Sequence, residues 1–170
     1  MHKNYVVIDI ETSGVFPGDD RIIWISALKV VEHNIVGQFF SYMRTGVQLS
    51  PEVLQILTNV KQDLIETAPY PIDVLKDLIV FVDSLPVICH NASFVKGFLE
   101  DELRQYSLDG FLKYTCTLEI ARQKFPGMRV DTEALLELLS LNSYVDHNYP
   151  ADAYEVYQIY EEFKKRHYVC

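Results

Sequence analysis

The chain has 170 residues, 49% of them hydrophobic and 23% charged, which is the size and composition of one globular domain spanning 1–170 and not of a disordered segment. Its net charge of −9 opposes casual binding to a polyanion, because nonspecific nucleic-acid affinity comes from Lys and Arg neutralising phosphates; an enzyme whose bound cations supply local positive charge remains allowed. No apolar run approaches eighteen residues and no charged-then-apolar leader follows Met1, so neither a membrane span nor a signal peptide is expected.

The first predicted element is the strand Tyr5-Val6-Val7-Ile8-Asp9-Ile10-Glu11-Thr12, a Val/Ile run that ends in Ser13-Gly14 and a Gly/Pro/Asp turn, Val15 to Asp20. From Arg21 to Val31 the residues are again β-branched, and Glu32-His33-Asn34 reverse the chain into Ile35 to Met43, a hairpin that extends the sheet. Ser50 before Pro51 is a helix start, leading to short helices over 52–57 and 61–66. Ile72, Leu75, Ile79 and Val82 recur at three- and four-residue steps and predict a third helix with one apolar face, closed by Pro86. Val87-Ile88-Cys89 then reads as a short buried strand delivering His90-Asn91-Ala92-Ser93 to a helix from about Phe94 to Gln105. Lys113 to Cys116 is one more short strand, helices follow over 117–124 and 132–141, and Pro150 opens the last, with Ala153, Val156, Tyr157, Tyr160 and Phe163 on one face. The order predicts an α/β fold with a mixed central sheet, without repeats or linkers. Cys89, Cys116 and Cys170 are an odd number without metal-ligand spacing, which fits a reducing, cytoplasmic setting with thiols as small core residues.

Chemistry enters at the first strand. Side chains alternate along a strand, so Asp9 and Glu11 share a face with Cα atoms roughly 6.6 Å apart. Two like charges beside an apolar core are unfavourable unless a cation lies between them, which makes a divalent metal the natural third party. Acids at strand ends are common, and the pair alone is weak. Asp152, in the first turn after Pro150, and His147, five residues earlier, can face one spot at a helix N-terminus; the helix dipole by itself also favours an acid there.

In order and spacing these motifs resemble the DnaQ-like DEDDh 3′–5′ exonucleases, over nearly the whole chain. Asp9-Ile10-Glu11-Thr12-Ser13-Gly14 matches the first motif, D-x-E-T-[TS]-G. His90-Asn91-Ala92-Ser93-Phe94-Val95-Lys96-Gly97-Phe98-Leu99 matches the second, H-N-A-x-F-D-x-x-F-L, except at Val95, and His147 to Asp152-Ala153 matches the third, H-x-x-x-x-D-A. Softer echoes are Leu57-Thr58 leading to Ala68-Pro69, Thr117 to Arg122, and Phe125-Pro126-Gly127.

The resemblance implies a ribonuclease H-like fold with a mixed sheet of about five strands flanked by helices. It implies that Asp9, Glu11 and Asp152 bind metal, Mg²⁺ or Mn²⁺ by their hard oxygen donors, two ions in the family. His147 would be the general base. Thr12, Ser13, Gly14 and Val15 would lie against the terminal nucleotide, with Gly14 allowing close approach, and Asn91 and Phe94 would border the substrate pocket. The implied partners are the 3′ end of single-stranded DNA or short RNA and, as a candidate, a polymerase or other replication or repair protein; no membrane is involved.

Val95 is the departure: it stands where the family carries its fourth acid, which supports the second metal, so weakened activity is expected. Glu100 and Asp101 are rotated roughly 140° and 240° from it about a helix axis and are poorly placed to substitute; Lys96 reads as a solvated lysine. Trp24 and Cys116 also occupy positions where the family commonly has acids. The competing reading is a catalytically inactive binding or scaffold protein that retains the exonuclease fold.

Overall fold

The computed structural model describes residues 2–56, 62–110, 113–141 and 150–169. Five strands form one mixed sheet: β1 (Asn4–Thr12), β2 (Ile22–Val31), β3 (Asn34–Tyr42), β4 (Val87–Cys89) and β5 (Tyr114–Cys116), in the spatial order β3-β2-β1-β4-β5. The first three pair antiparallel as a meander, whereas β4 joins β1, and β5 joins β4, in parallel after crossover helices. The expected fold class, a ribonuclease H-like mixed sheet of five strands flanked by helices, is what the chain adopts.

The helices are α1 (Pro51–Ile56), α2 (Gln62–Glu66), α3 (Pro71–Val82), α4 (Ala92–Gln105), α5 (Thr117–Lys124), α6 (Thr132–Leu138) and α7 (Ala151–Lys165). The Ser50 hydroxyl accepts from the Val53 amide at 3.3 Å, as its place before Pro51 predicts. The expected ends of the first two helices, at Leu57 and Lys61, lie outside the described residues, as does Cys170. Two boundaries shift by two residues or more. Asn91 adopts a left-handed backbone (φ 61°), so α4 starts at Ala92, two residues before the expected Phe94, and α6 ends at Leu138 instead of 141.

Alternation along β1 sorts the core. Val6, Ile8 and Ile10 point to one face, where they meet Val74, Leu75, Leu78 and Val82 of α3 and Val95, Phe98, Leu99 and Leu103 of α4. Tyr5 and Val7 point to the other face and, with Leu28, Val30 and Ile88, meet Ala153, Val156 and Tyr160 of α7. Helices α5 and α6 back α7 through Ala121, Leu135, Leu136, Ile159 and Phe163. On α3 the buried face is centred on Val74 and Leu78, while Ile72 and Ile79 of the expected stripe are only half-buried. Tyr157 of the expected α7 stripe is likewise half-buried, and Ile159 takes a core position.

The far end of α7 is pinned to β1. The Tyr5 hydroxyl donates to Glu161 Oε1 at 2.5 Å, the Tyr5 and Tyr160 rings meet edge to face at 5.0 Å, and the Lys164 ammonium pairs with Glu161 and lies 5.0 Å from the Tyr5 ring centre. This fixes the helix over the face of β1 that carries Asp9 and Glu11. Among the described residues no helix is long and apolar enough to cross a membrane.

Candidate metal centre

Asp9 and Glu11 continue the face begun by Tyr5 and Val7, toward the open C-terminal end of β1 where α7 begins. The apolar stripe Ala153, Val156 and Tyr160 seats α7 on that same face, and Asp152, in its first turn, is carried to the open end. One carboxylate oxygen from each of Asp9, Glu11 and Asp152 lies within 4.8 Å of the others. The three acids line a cleft of about 160 Å³ together with Thr132, Glu155 and Val156.

The cleft is costly without a counter-charge. Burial pushes Asp9 well above the usual carboxylate range, and the charges of Asp152, Glu11 and Glu155 push it further. Glu11 is pushed up to about 7, by burial first and by Asp152 second. Burial also raises Asp152, and burial followed by the charges of Asp152 and Glu133 raises Glu155. Desolvated acids held this close share protons until a cation replaces them. The donor set is all carboxylate oxygen, and its spacing suits one hard divalent ion bridged by three ligands.

Sequence reasoning missed Glu155 and Thr132. Glu155 lies three residues beyond Asp152, a spacing that returns to the same helix face, so its position was available from the pattern once Asp152 was placed. Thr132 follows the cap residue Asp131, which accepts from the Ala134 amide at 3.1 Å; its approach to the cleft depends on how α6 packs on α7.

The loop after β1 is held by its own groups. Thr12 Oγ1 donates to the Gly14 carbonyl at 2.5 Å; Ser13 Oγ accepts from the Arg21 amide at 3.0 Å and donates to Asp20 at 3.3 Å. A Cβ on Gly14 would come within 2.3 Å of the Asp20 carboxylate, so any larger residue there would push that carboxylate aside. Arg21 then ties the loop to α4 through a two-point contact with the buried Glu102, at 2.8 and 2.7 Å.

Asn91 is exposed at the start of α4 and its side chain caps no helical amide; it accepts from Ser93 Oγ at 3.0 Å. Phe94 is half-buried against Phe98, ring centres 4.8 Å apart. Val95 is 2% exposed within the core under Ile8 and Ile10. None of the three lines the cleft. Glu100 pairs with Lys96 at 3.6 Å and Asp101 with Arg104 at 3.2 Å, so both acids nearest in sequence are engaged away from it. Trp24 stands directly opposite Glu11 in the β1–β2 ladder, and Cys116 is paired with Cys89, its sulfur accepting from the Ala92 amide at 3.2 Å. His147 lies outside the described residues.

The sequence model of the RNase_T exonuclease family matches residues 6–160, the span from β1 to within α7 that builds this cleft. The chain belongs to this exonuclease family. Among curated members and relatives, it is 30% identical over 123 residues to the 3′-5′ exonuclease DinG of Staphylococcus saprophyticus, covering 72% of this chain and 14% of that protein. It is 33% identical over 126 residues to the PolC-type DNA polymerase III of Oceanobacillus iheyensis, 74% of this chain and 9% of the polymerase. The chain thus spans a small part of the curated relatives it matches. The exonuclease fold is also that of Exonuclease X in complex with 5′ overhanging duplex DNA (TM-score 0.69, 22% identity, 97% of this chain and 94% of that one). It is shared with E. coli Exonuclease I in complex with a dT13 oligonucleotide (TM-score 0.81, 15% identity, 97% and 42%).

Proposed function

We propose that this chain is a metal-dependent 3′–5′ exonuclease that hydrolyses terminal phosphodiesters of single-stranded DNA or short RNA and releases nucleoside monophosphates. The observation that carries the reading is the convergence of Asp9, Glu11 and Asp152, from two elements far apart in sequence, to within 4.8 Å in one cleft of an exonuclease-family chain. The direction of attack is that named for the exonuclease relative, and the DNA polymerases among the relatives support a nucleic-acid substrate and a polymerase or repair protein as the partner class.

In this reading the three carboxylates hold Mg²⁺ or Mn²⁺ and are themselves held in place by the β1 alternation and the seat of α7. A divalent cation held by Asp9, Glu11 and Asp152 would supply positive charge to the oxygens of a phosphodiester undergoing hydrolysis. His147 takes the proton of the attacking water at neutral pH. Thr12, Ser13 and Gly14, in the loop fixed by Asp20 and Arg21, and Asn91 and Phe94 at the start of α4 are the residues assigned to the terminal nucleotide.

Val95 limits the activity. Its side chain is in the apolar core and offers no oxygen where the family's fourth acid would support a second cation, a loss worth roughly a thousandfold in rate or more. The same residue favours the second reading, an exonuclease fold kept as an inactive binding or scaffold protein. A 3′-labelled oligonucleotide incubated with the protein and Mn²⁺ separates the two. The exonuclease reading expects slow release of mononucleotides, abolished in Asp9→Ala. No cleavage by the natural chain leaves the scaffold.

A further inference from the structure

Ser26 sits in the middle of β2, 1% exposed, directly opposite Asp9 in the antiparallel ladder and therefore on the same face of the sheet. Its hydroxyl has no hydrogen-bond partner among the described residues. A buried hydroxyl left unpaired is destabilising, and such a group calls for a physical explanation. Its neighbours narrow the explanation. Across the ladder on the other side stands Phe40, and along β2 the same face carries Trp24 and Leu28, none of which offers a strong acceptor. The one strong acceptor directly across from it is the Asp9 carboxylate. Directly opposed residues hold their Cβ atoms about 4.5–5.5 Å apart, a gap that a serine hydroxyl and an aspartate oxygen close by side-chain rotation alone.

We propose that Ser26 is a positioning residue of the metal centre, its hydroxyl donating to the Asp9 oxygen turned away from the cation when the cation is bound. A ligand carboxylate shared between a metal and a fixed donor is oriented and kept from rotating off the ion, and loss of such a donor typically costs ten- to a hundredfold in metal affinity. The unpaired hydroxyl is then a stability cost that the cation-free protein carries for the bound state. The inference rests on the metal-dependent reading of Asp9, Glu11 and Asp152, and adds to it a residue on a different strand.

The test is Mn²⁺ affinity by calorimetric titration of the full chain, beside the melting temperature of the metal-free protein, for the natural sequence, Ser26→Ala, Ser26→Gly and Ser26→Thr. Ser26→Ala and Ser26→Gly are expected to bind Mn²⁺ about tenfold more weakly, with the Ala variant melting metal-free at the same or a higher temperature. Ser26→Thr, which keeps the hydroxyl, is expected to bind within about threefold of the natural chain. Unchanged Mn²⁺ affinity in Ser26→Ala, or a lowered metal-free melting temperature in Ser26→Ala and Ser26→Gly alike, overturns the positioning role while leaving the metal centre standing. A natural chain that binds no Mn²⁺ overturns the metal-dependent reading as well, so the two failures are distinguishable.

Discussion

Glu11 carries a measurable cost in the cation-free protein. Its carboxyl, pushed up to about 7 by burial and by Asp152, binds its proton more tightly folded than unfolded, where the ordinary value is 4.5. A raised folded value stabilises the fold fully below the unfolded value and loses that contribution as pH rises through the folded one, so the penalty opens between about pH 4.5 and 7. Asp9 and Asp152 are raised too and act with the same sign. Glu11→Gln, which removes the charge and keeps the shape, is therefore expected to melt at a higher temperature than the natural chain at pH 8 without metal, and at nearly the same temperature at pH 5. Scanning calorimetry at the two values checks it, and equal melting at pH 8 would mean that Glu11 is not desolvated as the cleft requires. Excess Mn²⁺ should remove the advantage by replacing the missing counter-charge. Glu155→Gln is expected to ease the same repulsion, raising the metal-free melting temperature at pH 8 while weakening Mn²⁺ by a few fold; a titration and a melt on one sample read both. The acids at 9, 11 and 152 were legible in the sequence because strand alternation and the first turn of a helix assign them directions. Ser26 was not, because only the register of β1 against β2 places it opposite Asp9, and nothing local in Ile25-Ser26-Ala27 distinguishes it from a small core residue.

At the scale of elements, strands and helices were readable wherever local chemistry left one choice. Ser50-Pro51 and the Val/Ile run of β1 are of that kind. The face of α3 was not, since Ile72, Val74, Leu75, Leu78, Ile79, Val80, Phe81 and Val82 make the helix apolar nearly all round, and the sheet selects the line through Val74, Leu78 and Val82. The start of α4 was misplaced by two residues because Asn91 tolerates a left-handed backbone, which lets the helix begin immediately after it. The hardest feature to foresee joins residues 81 apart in sequence: Glu102, 2% exposed on α4, clasps Arg21 at the end of the loop that follows the Asp9 strand. Removing one partner leaves the other charge desolvated, so Glu102→Ala is expected to lower stability by about 3 kcal/mol, read by urea unfolding. A loss below about 1 kcal/mol would show that Arg21 finds water and that α4 does not anchor the loop.

For the molecule as a whole, the sheet divides the labour. One face, under α3 and α4, is a plain apolar core into which Val95 fits; the other is apolar under α7 and turns acidic at the N-terminal end of α7. A chain of net charge −9 with four raised carboxylates in one cleft is poorly suited to approach a phosphate backbone unaided, and well suited to hold the cations that would bring the backbone in. The whole-chain architecture was legible because the motif order fixes which elements must meet, whereas the consequences of Val95 depend on how much charge one cation supplies without its companion. The central claim is that Asp9, Glu11 and Asp152 together hold a divalent ion. It is tested most directly by the anomalous scattering of a crystal soaked with Mn²⁺ and a nucleoside monophosphate. The account predicts one well-occupied ion touching all three carboxylates, with the nucleotide phosphate against it and a second ion weak. A soaked crystal with no manganese between these three side chains would contradict it.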